Sequence, residues 1–204
     1  VLTEAMDIFP SEYIHIGGDE CPKVRWEQCP KCQAKIKELG FKDDDHFKAE
    51  NYLQSYVMTR MEKFVEDHGR KVIGWDEILE GGLGPNVTVM SWRSIDGGKE
   101  GAKQHHDVIM TPCSHLYFDY YQTDNTDDEP LAIGGYIPVE RVYEFEPIPS
   151  DLTEEEAKHI LGAQANLWVE YIKDMNTAFY RILPKMKALT EIKKVTKKKK
   201  DYDS

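Results

Sequence analysis

The stretch Tyr13-Ile-His-Ile-Gly-Gly-Asp-Glu20 places two adjacent carboxylates directly after a short β-branched run and a glycine pair. The β-branched residues favour an extended strand, while Gly17 and Gly18 end it and let a backbone come close to a ligand. Neighbouring residues on an extended backbone point to opposite sides, so Asp19 and Glu20 are expected to divide the work. One orients or stabilises, and the other moves a proton. For an isolated Asp-Glu pair the plain alternative is a solvated turn. Against that stands the recurrence of the pattern: Lys71-Val-Ile-Gly-Trp-Asp-Glu77 and Val87-Thr-Val-Met-Ser-Trp-Arg93 are again short apolar runs ending in functional side chains.

Such strand ends need a scaffold, and the intervening sequence supplies one. Helical stretches are expected up to Leu39-Gly40, where the glycine caps, from His46 to His68, around Gly97 to Gln104, and from about Asn176 to Lys194. The last carries Phe179, Ile182, Leu183, Met186, Leu189 and Ile192 on one face, with a kink expected at Pro184. Asp107-Val-Ile-Met-Thr-Pro112 reads as a fourth strand leading into the aromatic loop His115 to Tyr121. His159 to Glu170 reads as a fifth strand with its exit loop. Between these lies an extended loop, 122–158, closed by a short helix at Thr153 to His159 that either Ser150 could cap or Thr153, the latter with Glu156 as a capping box. Strand alternating with helix implies parallel strands and right-handed crossovers, in an open doubly wound sheet or a (β/α)8 barrel. Every strand end carries Asp, Glu, Trp or Tyr, and the helix-to-strand turns carry nothing comparable. That asymmetry is the barrel pattern.

At 204 residues with 40% hydrophobic content, the chain has enough apolar sequence to bury a core as one domain. The net charge of −11 is uneven: six of the 26 Lys and Arg residues fall between Lys193 and Lys200, and 20 basic residues face 35 acidic ones before them. An acidic body argues against a nucleic-acid partner, and the Lys run reads as a solvated tail over 193–204. No run approaches the ~18 apolar residues of a membrane span. The sequence starts at Val1 without Met, in a run that reads like the last turns of a helix entering Pro10, so it is expected to be a piece of a longer protein. Cys29-Pro-Lys-Cys32 has the spacing of a redox pair or half a zinc site. Plain or disulfide-linked loop cysteines, a redox-sensitive pair and, with Cys21, a metal site all remain open.

Taken together and in order, His15-Ile-Gly-Gly-Asp-Glu20, Gly74-Trp-Asp-Glu77, Ser91-Trp-Arg93, Tyr117-Phe-Asp119 and Leu167-Trp-Val-Glu170 closely resemble the motifs of family 20 glycoside hydrolases, the β-N-acetylhexosaminidases. The bacterial branch is the most similar, and the resemblance covers residues 1 to about 190. It implies a partial (β/α)8 TIM barrel, strands four to eight with their helices, with 1–192 as the barrel segment of a C-terminal part of the catalytic domain. It implies a carbohydrate partner ending in β-linked GlcNAc or GalNAc, no cofactor and no metal, and a periplasmic or secreted parent protein.

The resemblance further implies catalysis assisted by the sugar's own 2-acetamido group. Asp19 would hold the acetamido N–H, Glu20 would be the general acid and then base with a raised pKa, and Tyr117 would donate to the acetamido carbonyl. Trp75, Trp92 and Trp168 would wall the sugar and its methyl group, and Asp119 and Glu170 would accept hydrogen bonds from the 4- and 6-hydroxyls. His15 is expected to support the acids, Arg93 to tether a neighbouring acid, and Asp76 and Glu77 to act at the rim or behind it. The three preceding strands, with an arginine that grips sugar hydroxyls, lie outside this sequence. A five-stranded piece leaves open edges, so a non-catalytic half-barrel that binds sugar weakly, or a homodimer that covers those edges, is also expected.

Overall fold

A computed structural model of the chain describes residues 1–194; the Lys-rich tail falls almost entirely outside them. Five strands, β1 (Tyr13–His15), β2 (Lys71–Trp75), β3 (Thr88–Ser91), β4 (Val108–Met110) and β5 (Ile160–Ala163), form one sheet in sequential order. β1 runs parallel to β2 and β2 to β3, with Tyr13 opposite Lys71 and Ile73 opposite Thr88. Parallel neighbours need long crossovers; counting one before β1 and one after β5, the described residues contain nine α-helices. These are α1 (Leu2–Ile8), α2 (Val24–Gln28), α3 (Pro30–Leu39), α4 (Ala49–Glu66), α5 (Asp96–Lys103), α6 (Cys113–Leu116), α7 (Val139–Tyr143), α8 (Glu154–Ala157) and α9 (Met175–Lys194). None of them is long and apolar enough to cross a membrane.

The chain forms two compact units, one of Val1–Met90 with Glu100–Val108 and one of Ser91–Lys99 with the chain from Ile109 onward. In the first, Met6, Ile14, Val65, Val72, Ile78 and Val87 form the main core, and Ile36, Ala49 and Leu53 form a second cluster on which Trp26 and Cys32 pack. Gly40 closes α3 in the left-handed conformation, φ 72°, with its N–H given to the carbonyls of Ile36 and Lys37. α4 starts at Ala49 rather than His46. The carboxylates of Asp44 and Asp43 take the backbone N–H groups of His46, Phe47 and Ala49, at 2.8 to 2.9 Å, and so hold the preceding residues in a turn.

In the second unit the expected capping box forms: Thr153 Oγ1 accepts the Glu156 N–H, and the Glu156 carboxylate accepts the Thr153 N–H. Within 122–158 the structure adds α7, five residues long and therefore too short to show a period. The apolar face expected on α9 needs correction. Phe179, Leu183 and Met186 are exposed, while Arg181, Lys185, Ala188, Leu189 and Ile192 are buried. Two long cations face inward because carbonyl and carboxylate oxygens await them there. Arg181 reaches Glu129 at 2.8 Å, the Tyr120 carbonyl at 3.2 Å and the Pro130 carbonyl; Lys185 reaches the Phe118 carbonyl at 3.0 Å. Pro184 lies inside α9, and the Tyr180 carbonyl that its missing N–H would have served accepts Gln122 Nε2 at 2.7 Å instead.

The Arg181 and Glu129 side chains are only 1% and 2% exposed. Burial alone would raise the Glu129 pKa, but donors from Thr123 and Gln122 and the Arg181 charge outweigh it and hold the carboxyl low. Removing one partner leaves the other charge buried and unpaired. Arg181→Met should therefore lose about 3–5 kcal/mol of stability in urea unfolding, and the double change with Glu129→Gln should recover part of that loss.

Candidate active site

The first unit holds Asp19 and Glu20 on a turn defined by close packing. Pairing of β1 with β2 continues past the strand ends, through Ile16 N–H to the Ile73 carbonyl at 2.9 Å and Trp75 N–H to the Gly17 carbonyl at 3.0 Å. Gly17 and Gly18 follow with φ of 76° and 100°. A Cβ on Gly18 would collide with Ile78, and one on Gly74 would lie 2.6 Å from the Ile78 side chain and 3.2 Å from the Gly17 carbonyl. Side chains are thus excluded on both sides of the turn. Glu20 itself adopts φ 44°, a left-handed conformation that a non-glycine residue holds only where its surroundings impose it.

Those surroundings are polar contacts from distant parts of the chain. The Glu20 N–H points to Glu77 Oε1 at 3.4 Å, and Gln54, 4% exposed on α4, donates its Nε2 to the Gly18 carbonyl at 2.7 Å. Gln54 Oε1 in turn accepts Lys23 Nζ, which also holds the Cys21 carbonyl at 2.7 Å. Asp76 and Glu77 are both buried, at 1% and 9% exposure, whereas Asp19 and Glu20 are exposed. His15 accepts the Gly17 N–H on Nδ1 at 3.0 Å, and its ring lies 4.7 Å from that of Trp75. The atoms packed around that ring lower its pKa against the pull of the Asp19 carboxylate, although one side keeps solvent access. A neutral imidazole accepting on Nδ1 suits the supporting part expected of His15. Gln54 was missed from sequence: nothing in its neighbourhood marks it, and its contact spans 36 residues.

The second unit gathers the aromatic residues. Tyr117, 7% exposed, stacks on Trp92 with centroids 6.2 Å apart, and meets Trp168 and Tyr120 edge-on at 6.1 and 5.7 Å. A bridge between Tyr117 and Asn166 sets this cluster, with Phe118 N–H on the Asn166 carbonyl at 2.7 Å and Asn166 N–H on the Leu116 carbonyl at 2.9 Å. Burial raises the Tyr117 pKa well above that of an ordinary phenol, with the Trp168 and Asn166 side chains opposing, so the hydroxyl remains a proton donor. Asp119 is 6% exposed and its Oδ1 has no hydrogen-bond partner among the described residues. Burial raises its pKa; the backbone N–H groups of Asp119 and Trp168 and the Lys185 charge act the other way. Glu170 and Trp168 are exposed. Arg93 is exposed, and its carbonyl accepts the Cys113 thiol at 3.7 Å. The expected site residues therefore fall into an acid group, Asp19, Glu20 and Trp75, and an aromatic group, Trp92, Tyr117, Asp119, Trp168 and Glu170. Among the described residues no cluster of three His, Cys, Asp or Glu is placed to hold a metal ion.

With this geometry in place, comparison with known proteins is informative. The profile of glycosyl hydrolase family 20, catalytic domain, matches residues 1–194. The chain belongs to family 20. Among curated members it is 49% identical over 203 residues to a beta-hexosaminidase of Porphyromonas gingivalis, covering 99% of this chain and 25% of that protein. It is 33% identical over 192 residues to a beta-hexosaminidase of Vibrio furnissii, covering 93% of this chain and 30% of the relative. This family 20 chain thus spans less than a third of either relative. Among solved family 20 structures, the exo-beta-N-acetylglucosaminidase of Vibrio harveyi in complex with N-acetylglucosamine aligns with TM-score 0.81 and 29% identity over 98% of this chain and 31% of that one. The beta-N-acetylhexosaminidase of Bacteroides fragilis aligns with TM-score 0.78 and 25% identity, covering this chain fully and 40% of its own. The parallel α/β sheet described above is therefore that of a family 20 catalytic domain.

Lys185 gives the aromatic group a testable pH dependence. Burial, then the nearby Arg181 charge, lower its pKa to about 7 against the pull of Asp119 and Glu129. Above the ordinary lysine pKa both folded and unfolded chains hold it neutral. As pH falls from there toward about 7 the unfolded chain takes up the proton first, so stability declines across that window and levels off below it. The unfolding free energy from urea titration should rise between pH 7 and 10, by an amount on the order of a few kcal/mol at most, and Lys185→Met should flatten the rise.

Proposed function

We propose that this chain is the C-terminal part of the catalytic barrel of a β-N-acetylhexosaminidase, its five strands being barrel strands four to eight and residues 1–192 the barrel segment. The substrate is a glycan ending in β-linked GlcNAc or GalNAc, and hydrolysis proceeds with retention through the sugar's own acetamido group. The observation that carries this reading is the aromatic cluster around Tyr117. A buried phenol fixed as a donor, flat indole faces and a buried carboxylate oxygen without a donor suit an acetamido carbonyl, a pyranose face and a sugar hydroxyl.

In this mechanism the acetamido carbonyl oxygen attacks the anomeric carbon and forms a cyclic oxazolinium ion. Asp19 accepts a hydrogen bond from the acetamido N–H and offsets the positive charge of the ring. The Tyr117 hydroxyl donates to the carbonyl oxygen and holds it in a reactive pose. Glu20 protonates the departing glycosidic oxygen, then takes a proton from the water that opens the oxazolinium. Trp75, Trp92 and Trp168 wall the sugar, and Asp119 and Glu170 accept hydrogen bonds from its 4- and 6-hydroxyls. A carboxylate left buried and unpaired by a sugar lacking that hydroxyl carries a penalty, so Asp119, the buried one of the two, also discriminates.

The test uses nitrophenyl glucosaminides whose N-acyl group carries zero to three fluorines, turned over by the enzyme containing this segment. Each fluorine makes the carbonyl oxygen a poorer nucleophile, so kcat/KM should fall steeply along the series. Glu20→Gln should lower turnover of the natural glycoside by about 10²–10⁴-fold. Rates indifferent to fluorination would instead point to a protein carboxylate as the nucleophile.

A further inference from the structure

The first unit contains a second constellation that glycoside hydrolysis leaves unused. α3 is ten residues long, with Cys29 at its N-cap in an extended conformation (φ −82°, ψ 116°), Pro30 in its first turn and Cys32 also in that turn. Both are in the thiol form and partly exposed, and neither Cys21 nor Cys113 is in a disulfide. Pro30 and Lys31 between them are exposed, so the Cys-Pro-Lys-Cys turn faces solvent, while Cys32 leans on the Ile36, Ala49 and Leu53 cluster. Residues three apart at a helix start have Cβ atoms roughly 5–6 Å apart, and a disulfide needs about 3.5–4.5 Å. A shift of about 1–2 Å in the non-helical N-cap residue closes that gap. The first helical hydrogen bond, Gln33 N–H to the Cys29 carbonyl at 3.0 Å, is already in place to hold the turn.

The two sulfurs are not equivalent. The Cys29 thiol is held below its ordinary pKa by the backbone N–H of Cys32, then by the Cys32 thiol, then by the N–H of Lys31. The sulfur makes no conventional capping hydrogen bond, so these groups act on it as dipoles at the positive end of the helix. Cys32 is raised, chiefly because its thiol proton is directed to Cys29. No group of three ligands for a metal lies here among the described residues, which leaves two sulfurs and no third.

We propose that Cys29 and Cys32 form a thiol–disulfide exchange site for low-molecular-weight disulfides, with Cys29 attacking and Cys32 resolving. The Cys29 thiolate attacks one sulfur of the incoming disulfide, whose S–S bond breaks and releases one thiolate. Cys32 loses its proton to solvent and attacks the Cys29 sulfur of the mixed disulfide, which releases the second thiolate. The protein dithiol loses two electrons and becomes the Cys29–Cys32 disulfide; the incoming disulfide gains them and leaves as two thiols. This site stands independently of the glycosidase assignment.

The test exposes the 204-residue chain to oxidised glutathione, quenches with acid and maps cysteine masses by peptide mass spectrometry. The wild-type chain should lose two hydrogens as a Cys29–Cys32 bridge. Cys32→Ser should accumulate a glutathione adduct on Cys29, and Cys29→Ser should leave Cys32 at least about tenfold less reactive. Limiting maleimide on the untouched wild-type chain gives a ranking that requires no variant to fold: Cys29 should label at least about tenfold faster than Cys113. A bridge from either cysteine to Cys21, the reverse order of adduct formation, or equal labelling of Cys29 and Cys113 would overturn the assignment.

Discussion

The acid-bearing unit depends on one close approach, that of the backbone at Gly18 and Gly74 to the side chain of Ile78. Ile78 is 1% exposed and belongs to the main core, so the turn carrying Asp19 and Glu20 rests directly on the packed interior. The register of β1 on β2 sets that contact, because the Gly17 carbonyl is one of the pairing groups. A one-residue slip would turn every side chain of β1 to the other face and carry the acids with it. Packing density thereby becomes positional accuracy, since close-packed interiors resist small displacements. Gln54 and Glu77 add the polar restraints that keep Glu20 in a conformation its own backbone disfavours.

Much of this was legible in the amino-acid sequence because it is local. The five strand ends, the glycine closing α3 and the Thr153/Glu156 capping box each depend on residues within a few positions of one another. What escaped depends on distance along the chain or on polar atoms inside. Gln54 is a surface-type residue in an amphipathic helix until Gly18, far earlier in sequence, comes to rest against it. α9 misleads for a related reason. Its most apolar stripe is not its buried stripe, since Arg181 and Lys185 point inward and Leu183 outward. Apolar periodicity identifies the core-facing side only where the core is apolar, and here the carbonyls of Tyr120, Phe118 and Pro130 make it locally polar.

The candidate site residues divide in the same way. Their types and order along the chain stand in the sequence, but the setting of His15 does not: expected to be a buried support, it is exposed and takes the Gly17 amide on its ring nitrogen. Electrostatic individuality was not. Tyr117 and Asp119 sit two residues apart and both have raised pKa values through burial, yet the consequence differs. The phenol is kept in the protonated form it already prefers, whereas the carboxyl is driven toward a form that can donate as well as accept. The neighbours that oppose the shift come from distant parts of the chain: the Trp168 and Asn166 side chains for Tyr117, the Trp168 backbone N–H and the Lys185 charge for Asp119.

The cations of α9 hold the backbone oxygens of Tyr120, Pro130 and Phe118, and among loop side chains they also meet the Glu129 carboxylate and the rings of Tyr121 and Phe118. A carbonyl is offered by every residue type, so Tyr120 and Pro130 can change side chain without losing this anchor, whereas Phe118, Tyr121 and Glu129 are also held through their side chains. The helix, by contrast, must keep its two long cations. Sequence drift should therefore be concentrated in the exposed stretch Asp124 to Asp128, between those anchors, while the attachment to α9 persists. Such an arrangement lets the exposed loop change composition at little expense to the scaffold beneath it.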